Sequence, residues 1–518
     1  MTKLFNKRNL YILTCILIVL HPIIELDYLA YPVIHPRLTT VVNLIFYPLI
    51  VLGTFFLFEK DKKKVILCLL GYGLVFLIYF FFHYRVADSL QYTLYLPWNY
   101  YFSITDEAVY CFTLLLPLVY IWVFYRQEIT EDSLKKIVYG LSALIGIPIF
   151  LGNIFTFGMS TYEGYTIANI FSWFSLPFDA EAHHPRLYAS KFFFEEGNTI
   201  SIILFVILPL LYYFFSREDN KKKKVLYGLL IFVQSISMEM LSTRIATYGA
   251  IIVPVAMLGI YVFLMFLKSE KFKKVYMAFL VLMIAVAGAI LPFSPAYRNQ
   301  QIDARAYEFQ KGDDAAREDA RGRRADGEGL EKYSDAWFGF YIHYFEDYKW
   351  LIRVTPPAYY VDMYDYHFDP QFWVDLIFDY ELEERINGRQ IQTIFTNYKW
   401  KELTPKQKLF GMGYSTFMHG GIIIERDFVR QYYAFGPLGF ILLMGGWILV
   451  TAYMGLKLLF GYKKKKWNYL NITLMMAICM TFASSYVSGH TLDQLSSSMI
   501  LALFVGVLLR RLRSEEVE

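Results

Sequence analysis

The chain has 518 residues, of which 56% are hydrophobic and 19% charged, with a formal net charge of +4. Together with a mean hydropathy of +0.36, these values exclude a soluble globular protein and point to a polytopic membrane protein. The small positive balance lies in short basic loops between apolar runs. That pattern orients a membrane protein and gives no support to a nucleic-acid partner.

A helix needs roughly 20 mostly apolar residues to cross a bilayer. In chain order, the segments that meet or approach this are Leu10–Ile24, Thr39–Phe58, Val65–Phe82, Ala108–Tyr125, Ile137–Phe155, Thr199–Phe215, Val225–Leu241, Ile245–Leu267, Val275–Pro292, Tyr432–Met454, Trp467–Tyr486 and Ser496–Leu509. The fold class predicted is therefore an all-α transmembrane bundle of about twelve spans.

Lys3, Lys7 and Arg8 precede the first span, and every second loop after it is basic: Lys60 with Lys62–Lys64, Arg126 with Lys135 and Lys136, Arg217 with Lys221–Lys224, Lys268 with Lys271, Lys273 and Lys274, and Lys463–Lys466. Arg510, Arg511 and Arg513 close the series. An even span count and basic alternate loops place both termini in the cytoplasm. Bulky residues and proline fill Leu20–Tyr31, so the first apolar run reads as an uncleaved span rather than a signal peptide. The expected organisation is nine spans with outward loops over residues 1–292, a large outward loop over 293–431, and three spans with a cytoplasmic tail over 432–518.

The outward loops are unequal. Tyr84–Asp106 carries Tyr92, Tyr95, Trp98, Tyr100 and Tyr101, which suit interface anchoring or stacking on a sugar ring. Thr156–Asn198 holds His183 and His184, without a third ligand at metal-binding spacing. In the long loop, Ala304–Glu331 reads as a solvated helix or strap, and Ala336–Tyr380 as short packed helices. Trp337, Tyr341 and Trp373 there suit either a core or a sugar-stacking platform. Cys15, Cys68, Cys111 and Cys479 all fall in apolar spans with no metal or disulfide spacing.

Four places could carry chemistry. Arg244 sits in a tight Ser-Thr-Arg turn between two spans, where it either snorkels to the headgroups or faces a polar cavity. Arg186 precedes the Gly197-Asn198 start of the next span. Glu425 and Asp427 sit two residues apart at the mouth of the tenth span, and either is a potential proton acceptor or part of a collar with Arg426 and Arg430. Gly411-Met412-Gly413 and Gly436-Pro437-Leu438-Gly439 mark backbone corners.

This combination, over roughly Arg186 to Phe440, resembles the O-antigen ligase and polymerase superfamily, whose members are polytopic bacterial glycosyltransferases. In the resemblance, Arg186 matches the first outward arginine and Asn198 the asparagine opening a span. Arg244 matches the arginine of the Ser-Arg turn, and Arg389 in Gly388-Arg389-Gln390 the third arginine. Gly411 and Gly413 match the Gly-x-Gly turn, and Gly436 and Gly439 the paired glycines of the following span. Many members carry a His-Asn pair where this chain has Glu425-Arg426-Asp427, as some Gram-positive polymerase-type members do; His419 is near but out of register. The resemblance thus implies Glu425, then Asp427, as the base.

It further implies a polyprenyl-pyrophosphate-linked glycan as donor, a glycan or lipid-linked acceptor, a bacterial cytoplasmic-membrane location and, as partners, other membrane proteins of polysaccharide assembly. No cofactor is implied. Arginine forks match phosphate oxygens in two-point fashion, and diphosphate leaves readily enough that a metal is dispensable. Two rivals belong to other classes. A transporter or flippase of lipid-linked sugars predicts paired halves and polar residues deep in several spans; neither pattern is seen, although Glu239 and Asn471 lie in or near spans. A scaffold of polysaccharide assembly predicts that the arginines are individually expendable.

Overall fold

The computed structural model describes residues 6–24, 26, 33, 37–157, 164–175, 185–311, 314–351, 355–385, 387–461 and 467–514. His183, His184 and the Lys463–Lys466 run lie outside the described residues. Among those described, every regular element is helical. The long ones in the first part of the chain are α1 (Lys7–Ile24), α2 (Leu38–Leu57, with a π-helical turn over Val42–Phe46), α3 (Lys62–Ala87), α4 (Ile104–Gln127), α5 (Glu131–Ile154), α6 (Gly197–Arg217), α7 (Lys221–Met240), α8 (Arg244–Phe266) and α9 (Lys274–Ile290). Shorter helices follow: α10 (Asp335–Tyr348), α11 (Thr355–Met363), α12 (Pro370–Asp379), α13 (Gly388–Lys401) and α14 (Tyr414–Gly420). The chain closes with α15 (Asp427–Leu459), α16 (Tyr469–Val487) and α17 (Leu495–Ser514).

Eleven helices among the described residues are long and apolar enough to cross a membrane. The exception among the expected spans is α7. It is helical over the anticipated stretch, but four lysines open it and Gln234, Ser235, Ser237 and Glu239 dilute its second half. Those polar groups are buried, and two have partners that explain the burial. Gln234 Nε2 donates to Leu204 O (2.8 Å), and Ser237 Oγ to Gly146 O (2.8 Å). Such bonds satisfy groups that hydrocarbon would leave unpaired.

The chain divides into two compact units. The first comprises Met1–Leu67, Thr113–Gln301 and Gly446–Glu518. Its centre is α6, buried along almost its whole length, with α5, α7, α8, α16 and α17 packed around it. The sequence explains that position: between Glu196 and Arg217 this helix carries no charged residue, and it begins with small residues, Gly197 and Ser201. α17 is likewise buried along most of its length, with Ser496, Ser497 and Ser498 in its first turn and apolar residues from Met499 to Leu509.

The second unit joins Cys68–Phe112 to Ile302–Gly445. Its core is aromatic: Trp337, Tyr341, Tyr364, Trp373 and Phe395 are buried together with Tyr100. Trp337, Tyr341 and Trp373 therefore fill the core rather than form a sugar platform, whereas Tyr92, Tyr95, Trp98 and Tyr101 are exposed. Local signals start the helices. Ser334 caps α10 by accepting from Trp337 N (3.2 Å), and Asn387 caps α13 by accepting from Arg389 N (3.1 Å). A buried ion pair, Lys399 Nζ to Asp369 Oδ2 at 2.7 Å, sits in this core, and Tyr398 Oη donates to Asp369 Oδ1 (3.1 Å). The four cysteines are free.

Candidate functional site

In the first unit, Arg186 projects from a short 3-10 turn, Pro185–Tyr188, and is exposed. The turn is held from two sides. Ile167 N donates to Leu187 O (3.0 Å) and Trp173 Nε1 to Tyr188 O (3.2 Å). Arg298 is buried and donates to Trp173 O, bracing the same tryptophan. No periodicity in the sequence announces Arg298; it reads there as one more polar residue after the ninth span.

Arg244 is exposed at the first position of α8. Thr243 caps that helix, accepting from Ala246 N (3.4 Å), and its hydroxyl is bonded to Ser201 Oγ at 2.5 Å. Ser190 N donates to Met240 O (2.8 Å), so the strand of chain leaving the Arg186 turn is pinned to the end of α7, four residues before Arg244. The structure thus brings the two arginine-bearing segments together. Asn198 is half-buried in the first turn of α6.

In the second unit, Arg389, Gln392 and Glu425 form a connected cluster. Arg389 Nε donates to Glu425 Oε2 at 2.8 Å, with the two side chains 34% and 33% exposed. Gln392 Nε2 donates to Glu425 Oε1 (3.3 Å) and to Tyr360 Oη (2.9 Å), and Gln392 Oε1 accepts from Glu425 N (3.1 Å). Arg389 and Gln392 share a face because they are three apart on α13. Burial pushes the Tyr360 phenol up to about 12, so it stays protonated at neutral pH.

Asp427 is different. Its side chain is 0% exposed and lies 3.9 Å from Arg430 Nη2. Arg430 also donates from Nε to Ile424 O (2.5 Å) and from Nη2 to Glu425 O (2.7 Å). Asp427 and Arg430 therefore pin the backbone at the start of α15. Of the two carboxylates that sequence spacing leaves open, Glu425 is the one that solvent reaches. His419 has both ring nitrogens engaged, Nε2 by Asp106 (3.1 Å) and Nδ1 by Tyr101 O (3.0 Å).

The glycines of the two motifs meet. Gly436 has φ 64° and ψ 176° inside α15, followed by Pro437. Proline has no N–H to return to Tyr433 O; that carbonyl accepts from Met412 N instead (2.9 Å). Ala434 O accepts from Gly413 N (2.8 Å), and Phe435 O from Tyr79 Oη (2.7 Å). The carbonyls around the kink are thus satisfied from outside their own helix. Gly411 lies at φ 88°, and a Cβ there would strike Ala434 O. A Cβ at Gly436 would lie 2.6 Å from Lys408 O. Gly436→Ala is therefore expected to destabilise the protein by more than about 2 kcal/mol, read as a lowered midpoint in thermal unfolding of the solubilised chain. An alanine variant that unfolds with the wild type would remove this account of the corner.

Two residues the sequence gives no reason to pair support the Gly-x-Gly turn. Gly413 occupies the cap position of α14 and has no side chain to offer. Glu107 supplies the carboxylate in its place, accepting from Tyr414 N (2.9 Å) and Ser415 N (2.7 Å). His83 Nε2 lies 2.9 Å from Glu107 Oε1, and His83 Nδ1 lies 2.7 Å from Phe410 O. Both side chains are fully buried, so the histidine, the carboxylate and the Phe410 carbonyl form one chain of contacts shut off from solvent.

Chemically, the second unit offers a solvent-reached carboxylate oriented by a guanidinium and an amide, and the first offers two exposed guanidinium groups. Among the described residues, no group of three or more His, Cys, Asp or Glu is placed to hold a metal ion. No curated protein matches the sequence. The family model for O-antigen ligase like membrane proteins, however, matches residues 7–515. That match takes in both units, and the chain belongs to this family of membrane proteins.

Proposed function

We propose that the protein is a metal-independent glycosyltransferase of the bacterial cytoplasmic membrane, with both termini in the cytoplasm and the long loop outside. It polymerises cell-surface polysaccharide from polyprenyl-pyrophosphate-linked glycan. The family supports a glycan ligase or polymerase role, and the Glu425-Arg426-Asp427 variant favours polymerase over ligase. The observation that carries the reading is Glu425: half-buried, bonded by Arg389 and Gln392, and the more accessible of the two carboxylates.

In the reaction, the acceptor hydroxyl oxygen attacks the anomeric carbon of the donor. The bond from that carbon to the diphosphate oxygen breaks, and the lipid diphosphate leaves with the electron pair. Glu425 takes the hydroxyl proton. Arg186 and Arg244 hold the diphosphate and stabilise the charge that grows on it. Arg389 is assigned to phosphate by resemblance; its bond to Glu425 adds a second role, holding the carboxylate in orientation.

The test is glycan length in cells lacking the protein and complemented with wild type or Arg244→Ala at matched expression. Wild type is expected to restore long chains and the variant to leave single lipid-linked repeats. Full-length glycan from the variant would overturn the phosphate assignment. A lipid-linked sugar transporter is the second reading, and Glu239 is what favours it: a buried carboxyl whose oxygens find no hydrogen-bond partner among the described residues. It predicts that repeats accumulate on the cytoplasmic side when the protein is lost.

A further inference from the structure

The first unit contains a polar cavity of about 310 Å³ that the arginine turns do not line. Its walls come from the end of α1, the start of α2, the segment just before α6 and the segment just before α17. These all lie at the end of the unit that carries Arg186 and Arg244, because α6 and α8 begin there. The size is at the lower bound of ordinary small-molecule sites, about 300–1,000 Å³.

The lining chemistry is unlike that of a diphosphate site. Glu195, Glu196 and Asp493 face one cation, Arg37. The excess of negative charge repels phosphate. The remaining polar groups supply both halves of a hydroxyl-binding set. Carboxylates accept from sugar hydroxyls, while Arg37, Asn43 and Gln494 bring N–H donors. Asn43 is anchored, with Oδ1 3.1 Å from His21 Nε2. A buried phenyl ring, Phe194, supplies an apolar wall for the ring face of a sugar.

We infer that this cavity binds a neutral, hydroxyl-rich saccharide, and that it holds sugar units of the acceptor glycan. The second half of that statement rests on the glycosyl-transfer reading above; the first half does not. The acceptor's hydroxyl-bearing sugar units carry no phosphate where they meet the donor, so they call for a site chemically different from that of the donor diphosphate, and the cavity has the charge that rejects that diphosphate.

The experiment is saturation-transfer NMR on the full chain in lipid nanodiscs, with methyl β-D-glucoside and glucose 1-phosphate as probes. The glucoside is expected to bind, and the phosphate to bind at least roughly tenfold more weakly. The double variant Glu196→Gln, Asp493→Asn is expected to weaken glucoside binding by roughly tenfold, whereas Arg244→Ala leaves it unchanged. Should the double variant fail to fold, Thr40→Trp fills the cavity from an exposed position and is expected to abolish binding. Absence of glucoside binding to the wild type, binding that survives these changes, or equal binding of the phosphate would each overturn the inference. Glucoside binding by a protein whose loss leaves glycan length unchanged would instead sink the glycosyl-transfer reading alone. Chain elongation without glucoside binding would sink the cavity assignment alone.

Discussion

Glu425→Gln is expected to slow glycan transfer by roughly 10²–10⁴-fold, the range for loss of a positioned general base. The substitution keeps shape and size, and one amide oxygen remains to accept from Arg389 or Gln392, so the fold is expected to persist. Asp427→Asn should behave in the opposite way. Its side chain is buried against Arg430, so the change is expected to lower stability by about 1–3 kcal/mol with a much smaller effect on the transfer rate per folded molecule. The measurement is chain extension by purified variants in lipid vesicles, normalised to folded protein. If Glu425→Gln transfers at the wild-type rate while Asp427→Asn does not, the two assignments are reversed.

The second large effect concerns the core of the loop unit. Lys399→Met leaves the Asp369 carboxylate without the ammonium 2.7 Å away, in a place where both side chains are 0% exposed. Breaking a buried pair from one side costs about 3–5 kcal/mol, because the remaining charge is uncompensated. Lys332, 3.8 Å from the same carboxylate and partly exposed, places the expectation at the lower end of that range. The double variant Lys399→Met, Asp369→Asn should recover most of the loss, since no charge is then stranded. Trp337 and Trp373 are buried in the same core, so the loss is read in denaturation followed by tryptophan fluorescence, with Trp337→Phe, Trp373→Phe as the control that identifies the signal of this unit. A single variant within about 1 kcal/mol of wild type would mean that the pair contributes little.

Hydropathy made most of the architecture legible, because a bilayer admits few solutions for a backbone and each span must be apolar over a fixed length. The stretch over Val225–Leu241 shows the limit. It is a helix as expected, yet its apolar character is interrupted by Gln234 and Ser237, whose carbonyl partners lie on neighbouring helices. The glycine motifs were legible as corners, but not as corners that fit each other, since that depends on backbone geometry across a turn and a kink. The site was legible in part. Glu425 and Asp427 stand two positions apart, which says that they diverge but not which one is buried. Burial is set by Arg430, one turn along. His83 and Glu107 were not found at all: they stand on different helices, each alone among apolar neighbours, and only the distance between the helices makes them a pair.

The kink of α15 also constrains the order of biogenesis. Tyr79 lies on the third long helix, and its hydroxyl bonds to Phe435 O, 356 positions later; His83 waits 327 positions for Phe410 O. During synthesis from the N-terminus, that helix enters the bilayer long before its carbonyl partners exist. At roughly 5–20 residues per second, the interval is tens of seconds, during which a histidine and a glutamate at the end of two early helices have only each other. A nascent chain arrested before Phe410 should therefore hold the His83–Glu107 pair as its local anchor, and loss of either residue should expose the half-made chain to membrane proteases before the finished protein shows any defect.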